Sequence, residues 1–315
     1  MRFNPKARLD RSQVQNRRGS SGRGGGMGFP VRAGGRGLGV GGGIGGVIVL
    51  IIIVLLNSGL FSGGGGQDSA PGSGSGSGPV STGGEQLSHC RTGADANQDR
   101  DCARVAIVNS IQSFWSQALP QQSDARYTEA DTVIFSDRVD TGCGAATAQV
   151  GPFYCPVDKL VYLDTTFFKD MLEGQLGGTD ADFAEAYVLA HEYGHHVQDL
   201  LGTMGRVRTQ QGAGSDAVRL ELQADCYAGM WTRFATRAED ADGQVLIQEL
   251  TPTDIEEALD AARAVGDDRI QQKTSGRVNP DAWTHGSAEQ RMRWFSIGKD
   301  QGTLRACDTF SARQL

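Results

Sequence analysis

The chain has 315 residues, 38 % of them hydrophobic, and a formal net charge of −7. Nine Lys or Arg and one Asp give residues 1–46 a charge of +8, so the remainder of the chain carries −15. That remainder is large enough to bury a full core in one domain, and its acidity excludes a nucleic-acid binder.

The N-terminal quarter predicts a tail followed by a membrane anchor. Residues 1–42 place arginines among glycines, which is typical of a disordered basic tail, with RNA or anionic-lipid contact as the alternative. Residues 47–56 are uniformly apolar, and uncharged neighbours extend this run past about 18 residues, so 43–61 predicts a transmembrane helix. The positive-inside rule then places the tail in the cytoplasm and the rest of the chain outside it. A cleaved signal peptide is disfavoured by the long leading tail and the lack of an A-x-A-like site.

A flexible linker precedes the predicted folded domain. Residues 62–85 are rich in Gly and Ser, and the folded domain is expected at 86–315. Apolar residues at helical spacing predict a helix over 101–119. Strands are expected between residues 130 and 164, with Lys159–Asp164 as a candidate edge strand for binding an extended polypeptide.

Six cysteines favour disulfides and therefore an oxidising compartment outside the cytoplasm. Although 15 connectivities are possible, we predict pairs that close two short loops and tie the C-terminal tail to a helix. A cysteine zinc site is disfavoured because no CxxC pair is present. The predicted pairs are Cys90 with Cys102, Cys143 with Cys155, and Cys226 with Cys307.

The most informative segment is the HExxH sequence at 191–195. A capping box at Thr179 and an end at Gly202 predict a helix around it. His191 and His195, four residues apart, share a helix face and can bind one zinc ion, while Glu192 can act as general base toward an activated water. Gly194 predicts close approach by another element.

A third metal ligand is needed, because a catalytic zinc normally has three protein ligands. A second predicted helix starts at Ser215 and carries Glu221 and Asp225 on one face. One of these acids can reach the metal while the other accepts a hydrogen bond from a ligand imidazole. If Glu221 is the ligand, Asp225 would orient that imidazole.

The C-terminal part contributes a further candidate. Thr253 and Glu256 predict the cap of another helix. His285 precedes a capping box at Ser287, and this position makes it a candidate donor to the oxyanion of a tetrahedral intermediate. A histidine hydrogen-bonded within its own loop is an equal alternative. Arg291 is expected to contact Asp225 or a backbone carbonyl.

Several motifs resemble those of a known family. HEYGHHVQ at 191–198, ELQADCYAGMW at 221–231, THGSAEQRMRWFSIG at 284–298, NSIQSFW at 109–115 and GPFYCPVDKLVYLD at 151–164 look like the neutral zinc metallopeptidases, bacterial membrane-anchored proteins. The resemblance covers residues 86–300, and the motif order is also similar to that of gluzincin proteases. It implies that His191, His195 and Glu221 bind zinc and that Glu192 is the base.

These observations predict an α+β fold, with a zincin-like domain of small sheet and mostly helices after one transmembrane helix. The expected function is that of a membrane-anchored peptidase with one Zn²⁺ ion, which hydrolyses polypeptides outside the cytoplasm. The alternative is a non-catalytic, zinc-stabilised binding or chaperone-like module at the membrane surface. Glu192 favours the enzyme, because a purely structural zinc site has no need of a base.

Overall fold

A computed structural model describes residues 1–19, 87–147, 150–174, 176–177 and 182–315. The described part combines helices with small sheets, which confirms the predicted α+β class. Its helices are α1 Gly93–Ala96, α2 Arg100–Gln122, α3 Asp182–Leu200, α4 Asp216–Phe234, α5 Pro252–Ala264, α6 Asp267–Ser275 and α7 Ala288–Gln301, with a π-helix at Phe167–Glu173. Its strands are β1 Arg2–Phe3, β2 Val14–Asn16, β3 Thr132–Phe135, β4 Arg138–Thr141, β5 Gly144–Thr147, β6 Phe153–Cys155, β7 Leu160–Asp164 and β8 Ile247–Glu249.

The main sheet has the strand order β2-β3-β7-β6. β2 and β7 run parallel to β3, whereas β6 folds back antiparallel to β7. The central strands β3 and β7 are rich in buried Val, Ile and Leu, as expected for strands covered on both faces. The prediction of an edge strand at Lys159–Asp164 is therefore wrong, because β7 is interior. Among the described strands β6 pairs with β7 alone, so β6 forms one edge of the sheet and β2 the other.

The N-terminal segment, residues 1–19, is folded, which corrects the expectation of a tail disordered over 1–42. β1 pairs with β8, and β2 extends the main sheet beside β3. Phe3, Ala7 and Val14 are at most 5 % exposed, so the segment contributes apolar side chains to the core. Its arginines suggested a solvated tail because composition does not reveal a partner strand more than a hundred residues away.

The predicted membrane helix at 43–61 and the linker at 62–85 lie outside the described residues. Among the residues that are described, no helix combines the length and apolar character needed to span a bilayer.

The helices that carry the sequence motifs pack at very short range. A Cβ atom on Gly194 of α3 would lie 3.0 Å from the backbone of Ala224 on α4, which confirms the predicted close approach. A Cβ atom on Gly298 of α7 would lie 1.8 Å from the carbonyl oxygen of Cys226 on α4. Glycine at these positions brings three helix backbones together, which fixes the relative positions of their side chains.

Most of the predicted helix caps and all of the predicted disulfides are confirmed. Ser215 caps α4 and Ser287 caps α7 with Gln290 as its capping-box partner, whereas Thr179 lies outside the described residues. The cap of α5 is Thr251 rather than Thr253, because Pro252 occupies the first helical position, where its missing N–H is harmless. All three predicted disulfides are confirmed: Cys90–Cys102, Cys143–Cys155 and Cys226–Cys307.

We predict that Gly298→Ala lowers the free energy of unfolding by about 3 kcal/mol, although alanine is the better helix former by about 1 kcal/mol. The new methyl group meets a backbone carbonyl that cannot rotate away. The matched control is Gly214→Ala, whose Cβ would have no neighbour within 4 Å. Chemical denaturation of both variants measures the difference, and equal stability of the two would show that α4 and α7 are not in backbone contact.

Candidate metal centre and active site

Two helices bring the predicted ligands together. α3 presents His191 and His195 on one face, and α4 crosses it with Glu221 pointing at both rings. The Nε2 atom of His191 lies 3.3 Å from one carboxylate oxygen of Glu221, and Nε2 of His195 lies 3.5 Å from the other. The ligand atoms of the three residues all lie within 4.8 Å of one another.

This spacing suits a zinc ion. Zinc bound to nitrogen and oxygen at about 2.0–2.2 Å in a tetrahedron separates its ligand atoms by roughly 3.4 Å. The distance from each imidazole nitrogen to the nearer oxygen of Glu221 is close to that separation. Two imidazoles and one carboxylate are also the donor set of many catalytic zinc sites. These three residues could therefore hold zinc.

The charges of neighbouring side chains stabilise the ionised forms of His191 and Glu221. Burial alone would lower the pKa of His191, but the carboxylates of Asp225 and Glu221 outweigh it and raise that pKa to about 10. Burial opposes ionisation of Glu221, yet His195 and His285 hold its pKa well below the usual range. A negatively charged ligand is thus kept ionised inside the protein, where a cation would be bound strongly.

Glu192 lies beside the ligand cluster in a different environment. Its side chain is buried, and burial raises its pKa although His191 and His195 pull in the opposite direction. The backbone of Tyr154 on β6 adds to this lowering effect. A buried carboxylate with a raised pKa is suited to accept and return a proton near neutral pH.

Asp225 is fully buried one turn beyond Glu221 and supports the first histidine. The Nδ1–H of His191 donates to Oδ1 of Asp225 at 2.9 Å, and the hydroxyl of Tyr187 donates to the same oxygen. Arg291 of α7 binds both carboxylate oxygens, each at 2.9 Å. Burial opposes ionisation of Asp225, but Arg291 and His191 hold its pKa low. The ring of His191 is therefore fixed with Nε2 toward Glu221.

The second histidine is supported by a chain of amides that the sequence analysis missed. The Nδ1–H of His195 donates to Oε1 of Gln198 at 2.8 Å. The amide of Gln198 donates to the carbonyl of Leu220 and to Gln223, and Gln223 in turn donates to the carbonyl of Cys307. The only sequence signal was the position of Gln198 three residues after His195, on the same helix face.

His285 lies at the same site, in the loop between α6 and α7. The charge of Glu221 acts on it directly and raises its pKa against the effect of burial. Its Nδ1 faces the hydroxyl of Thr284 at 2.8 Å and a carboxylate oxygen of Asp267 at 3.5 Å, so Nε2 is the ring nitrogen that can reach a substrate.

Asp267, at the start of α6, holds this loop in place. Its Oδ2 atom accepts hydrogen bonds from three consecutive backbone amides, those of Thr284, His285 and Gly286, at 2.7, 2.7 and 3.1 Å. No pattern in the sequence singles it out, because acidic residues are common in the first turn of any helix.

The third histidine of the motif, His196, faces away from the ligand cluster. Its Nε2–H donates to the carbonyl of Thr128 at 2.7 Å, and its Nδ1 lies 3.1 Å from the hydroxyl of Tyr154. Burial lowers its pKa, which keeps the ring neutral. His196 therefore ties α3 to β6.

One other group of metal-binding residue types occurs in the described part of the chain, around His89 and Asp99. Its two sulfur atoms belong to the disulfide Cys90–Cys102, so neither is a thiolate that could bind a metal. Among the described residues, the cluster of His191, His195 and Glu221 is therefore the group that could hold a metal ion.

Comparison with known proteins agrees with this geometry. A family model described as "Putative neutral zinc metallopeptidase" matches residues 1–310. An uncharacterized protein of Mycobacterium tuberculosis is 53 % identical over 234 residues, which cover 74 % of this chain and 78 % of the relative. The uncharacterized protein YpfJ of Escherichia coli is 43 % identical over 212 residues, 65 % of this chain and 69 % of the relative. No solved structure matches the chain.

We predict that Asp225→Asn weakens zinc binding about 10- to 100-fold, because the ring of His191 loses its charged acceptor. It should also lower the free energy of unfolding of the metal-free protein by about 3–5 kcal/mol, since the guanidinium of Arg291 stays buried without a counter-charge. Chelator competition and chemical denaturation measure the two effects.

A double variant separates them. Asp225→Asn combined with Arg291→Met should recover most of the lost stability but not the lost zinc affinity, because the unpaired charge is gone while the acceptor is still missing. Asp140→Asn, at an exposed acid, serves as the control. Unchanged zinc affinity in both Asp225 variants would refute the assigned support of His191.

Proposed function

Because the chain belongs to the neutral zinc metallopeptidase family, we propose that it is a peptidase that uses one zinc ion held by His191, His195 and Glu221. The observation that supports this most strongly is that a buried glutamate, Glu192, directly follows one of the three candidate ligands, His191, on the same helix. Three protein ligands leave room in a tetrahedral zinc shell for water or substrate, and a structural site would have four.

When bound, zinc supplies a Lewis acid that polarises water and the carbonyl of the scissile peptide bond. Glu192 takes the proton from the attacking water and later passes it to the leaving amine. Its raised pKa suits both steps, because the carboxyl group must accept a proton readily and release it again. The tetrahedral intermediate carries a negative oxygen, toward which Nε2–H of His285 donates a hydrogen bond.

The polypeptide substrate binds in an extended form along β6 in this proposal. β6 is a sheet edge, and backbone groups of an edge strand bind an added strand without regard to its sequence. β6 packs against α3, the helix that carries Glu192, so this edge lies next to the base. His196 contacts the hydroxyl of Tyr154, and this contact helps to fix the position of β6 against α3.

The compartment of action is also a proposal. Three disulfides within the described residues are typical of proteins that fold in an oxidising environment outside the cytoplasm. We therefore place the substrates among extracytoplasmic proteins or peptides. The acidity of the folded part disfavours strongly acidic substrates, because like charges repel at the point of encounter.

The base is tested with Glu192→Gln in the purified full-length chain. We expect it to bind one zinc with the affinity of the wild type and to lose about 10²- to 10⁴-fold in peptide hydrolysis, since the amide cannot accept the proton. A mixed peptide library read by mass spectrometry measures cleavage, with and without chelator. Removal of zinc should abolish wild-type cleavage, and returning zinc should restore it.

The same assay distinguishes the alternative function. A wild-type protein that binds one zinc tightly, unfolds when the metal is removed and cleaves no peptide would identify a zinc-stabilised binding module. Cleavage that persists in Glu192→Gln would instead keep the peptidase but remove Glu192 from its role.

We predict that His285→Ala lowers kcat about 10²- to 10³-fold at unchanged zinc stoichiometry, because the lost hydrogen bond forms only in the transition state. KM should change little. His89→Ala, at an exposed histidine, is the matched control and should have wild-type kinetics. An equal loss in kcat for both variants, or loss of zinc from His285→Ala, would contradict the donor role.

A further inference from the structure

The N-terminal segment is bound to the peptidase domain by backbone pairing at two places. β1 pairs with β8, and the amide of Asn4 donates to the carbonyl of Leu246 at 3.0 Å. β2 lies in register beside β3, and the pairing continues with the amide of Arg17, which donates to the carbonyl of Ile134 at 2.8 Å. The segment thus supplies β2, one strand of the main sheet that also contains β6.

Two asparagine side chains of the domain bind the backbone of this segment. The amide group of Asn97 accepts from the N–H of Phe3 and donates to its carbonyl, both at 2.9 Å. Asn109 does the same with Asp10, at 2.8 and 2.9 Å. Each side chain reproduces the pair of bonds that a neighbouring strand would make. Asn109 opens the NSIQSFW motif, so this contact assigns a role to a motif that the active site does not explain.

The domain is also shaped to receive the segment. A Cβ atom on Gly93 would lie 2.0 Å from the carbonyl oxygen of Asn4, so only glycine admits the segment here. The amide of Gly93 donates to the carbonyl of Ala7, whose side chain is fully buried. Arg18 forms an ion pair with Asp101 at the start of α2. These are the contacts of a permanent part of the fold.

Such packing requires both parts to be on the same side of any membrane. A single crossing by the apolar run at 47–56 would place residues 1–19 and 87–315 on opposite sides, where strand pairing is impossible. A second crossing would need about 20 further apolar residues, whereas residues 62–86 are rich in Gly and Ser. The charge bias of the N-terminal arginines orients only a segment that crosses.

We propose that the N-terminal segment and the peptidase domain occupy one compartment and that the apolar run at 47–56 does not carry the chain across a membrane. This inference is independent of the peptidase activity, because it depends only on the packing of residues 1–19.

Thiol labelling in intact cells tests the shared compartment. The six cysteines of the chain are all paired in disulfides, so an added cysteine is the single reactive thiol. Ser12→Cys reports on the N-terminal segment and Ser116→Cys on α2; both positions are exposed, and neither substitution changes the basic charge of the tail. Each full-length variant is treated with a membrane-impermeant maleimide before and after detergent lysis.

Equal labelling of the two variants in intact cells, relative to lysed cells, is the expected result. Labelling of Ser116→Cys at least 10-fold above Ser12→Cys would overturn the proposal, as would an intact mass showing that residues 1–19 are removed.

Hydrogen exchange of the purified full chain tests the packing itself. Amides of Asp10 and Val14–Asn16 should exchange at least 100-fold more slowly than those of an unstructured peptide. Asn109→Leu should accelerate exchange in residues 1–19 at least 10-fold while leaving β7 unchanged, and Asn279→Leu, at an exposed asparagine, should alter neither. Unprotected amides in residues 1–19 of the wild type would overturn the proposal whatever the labelling shows.

Discussion

The arrangement of the candidate site depends on one buried ion pair, that of Asp225 with Arg291. A carboxylate removed from water is stable only when its lone pairs are fully used, and here two helices supply the donors to an acid on a third. α3 supplies Tyr187 and His191, α7 supplies the guanidinium, and α4 carries the acid itself. Any shift of one helix against the others would leave a buried charge without partners, so the pair specifies a single packing.

The glycines at the helix contacts follow from the same constraint. Arg291 can bind both oxygens of Asp225 only if α7 lies directly on α4, and Gly298 permits this contact between backbones. Gly194 does the same between α3 and α4, which brings the two histidines within reach of Glu221. The positions of the three candidate ligands are thus set by helices and not by loops, which suits a metal site.

Features encoded by neighbouring residues were predictable from the sequence, whereas those that depend on distant pairing were not. The ligand face of α3, the cap of α4 and the disulfides over short loops follow from spacing alone. The edge position was assigned to β7 instead of β6, and the strand at Val14–Asn16 was missed, because neither depends on local composition. Gln198 and Asp267 were missed for a related reason: glutamine and aspartate are ordinary on helices, and only tertiary contacts give these two a role.

The chain of amide side chains that supports His195 ends at the carbonyl of Cys307. A disulfide links this residue to α4. Cys307 is bonded to Cys226 across 81 residues, so the acceptor for Gln223 is held in place by oxidation of two thiols. The ring orientation of His195 is therefore connected, through Gln198 and Gln223, to a carbonyl that this disulfide restrains. We expect reduction of Cys226–Cys307 to loosen this acceptor, so that the order of the site is linked to the redox state of its surroundings.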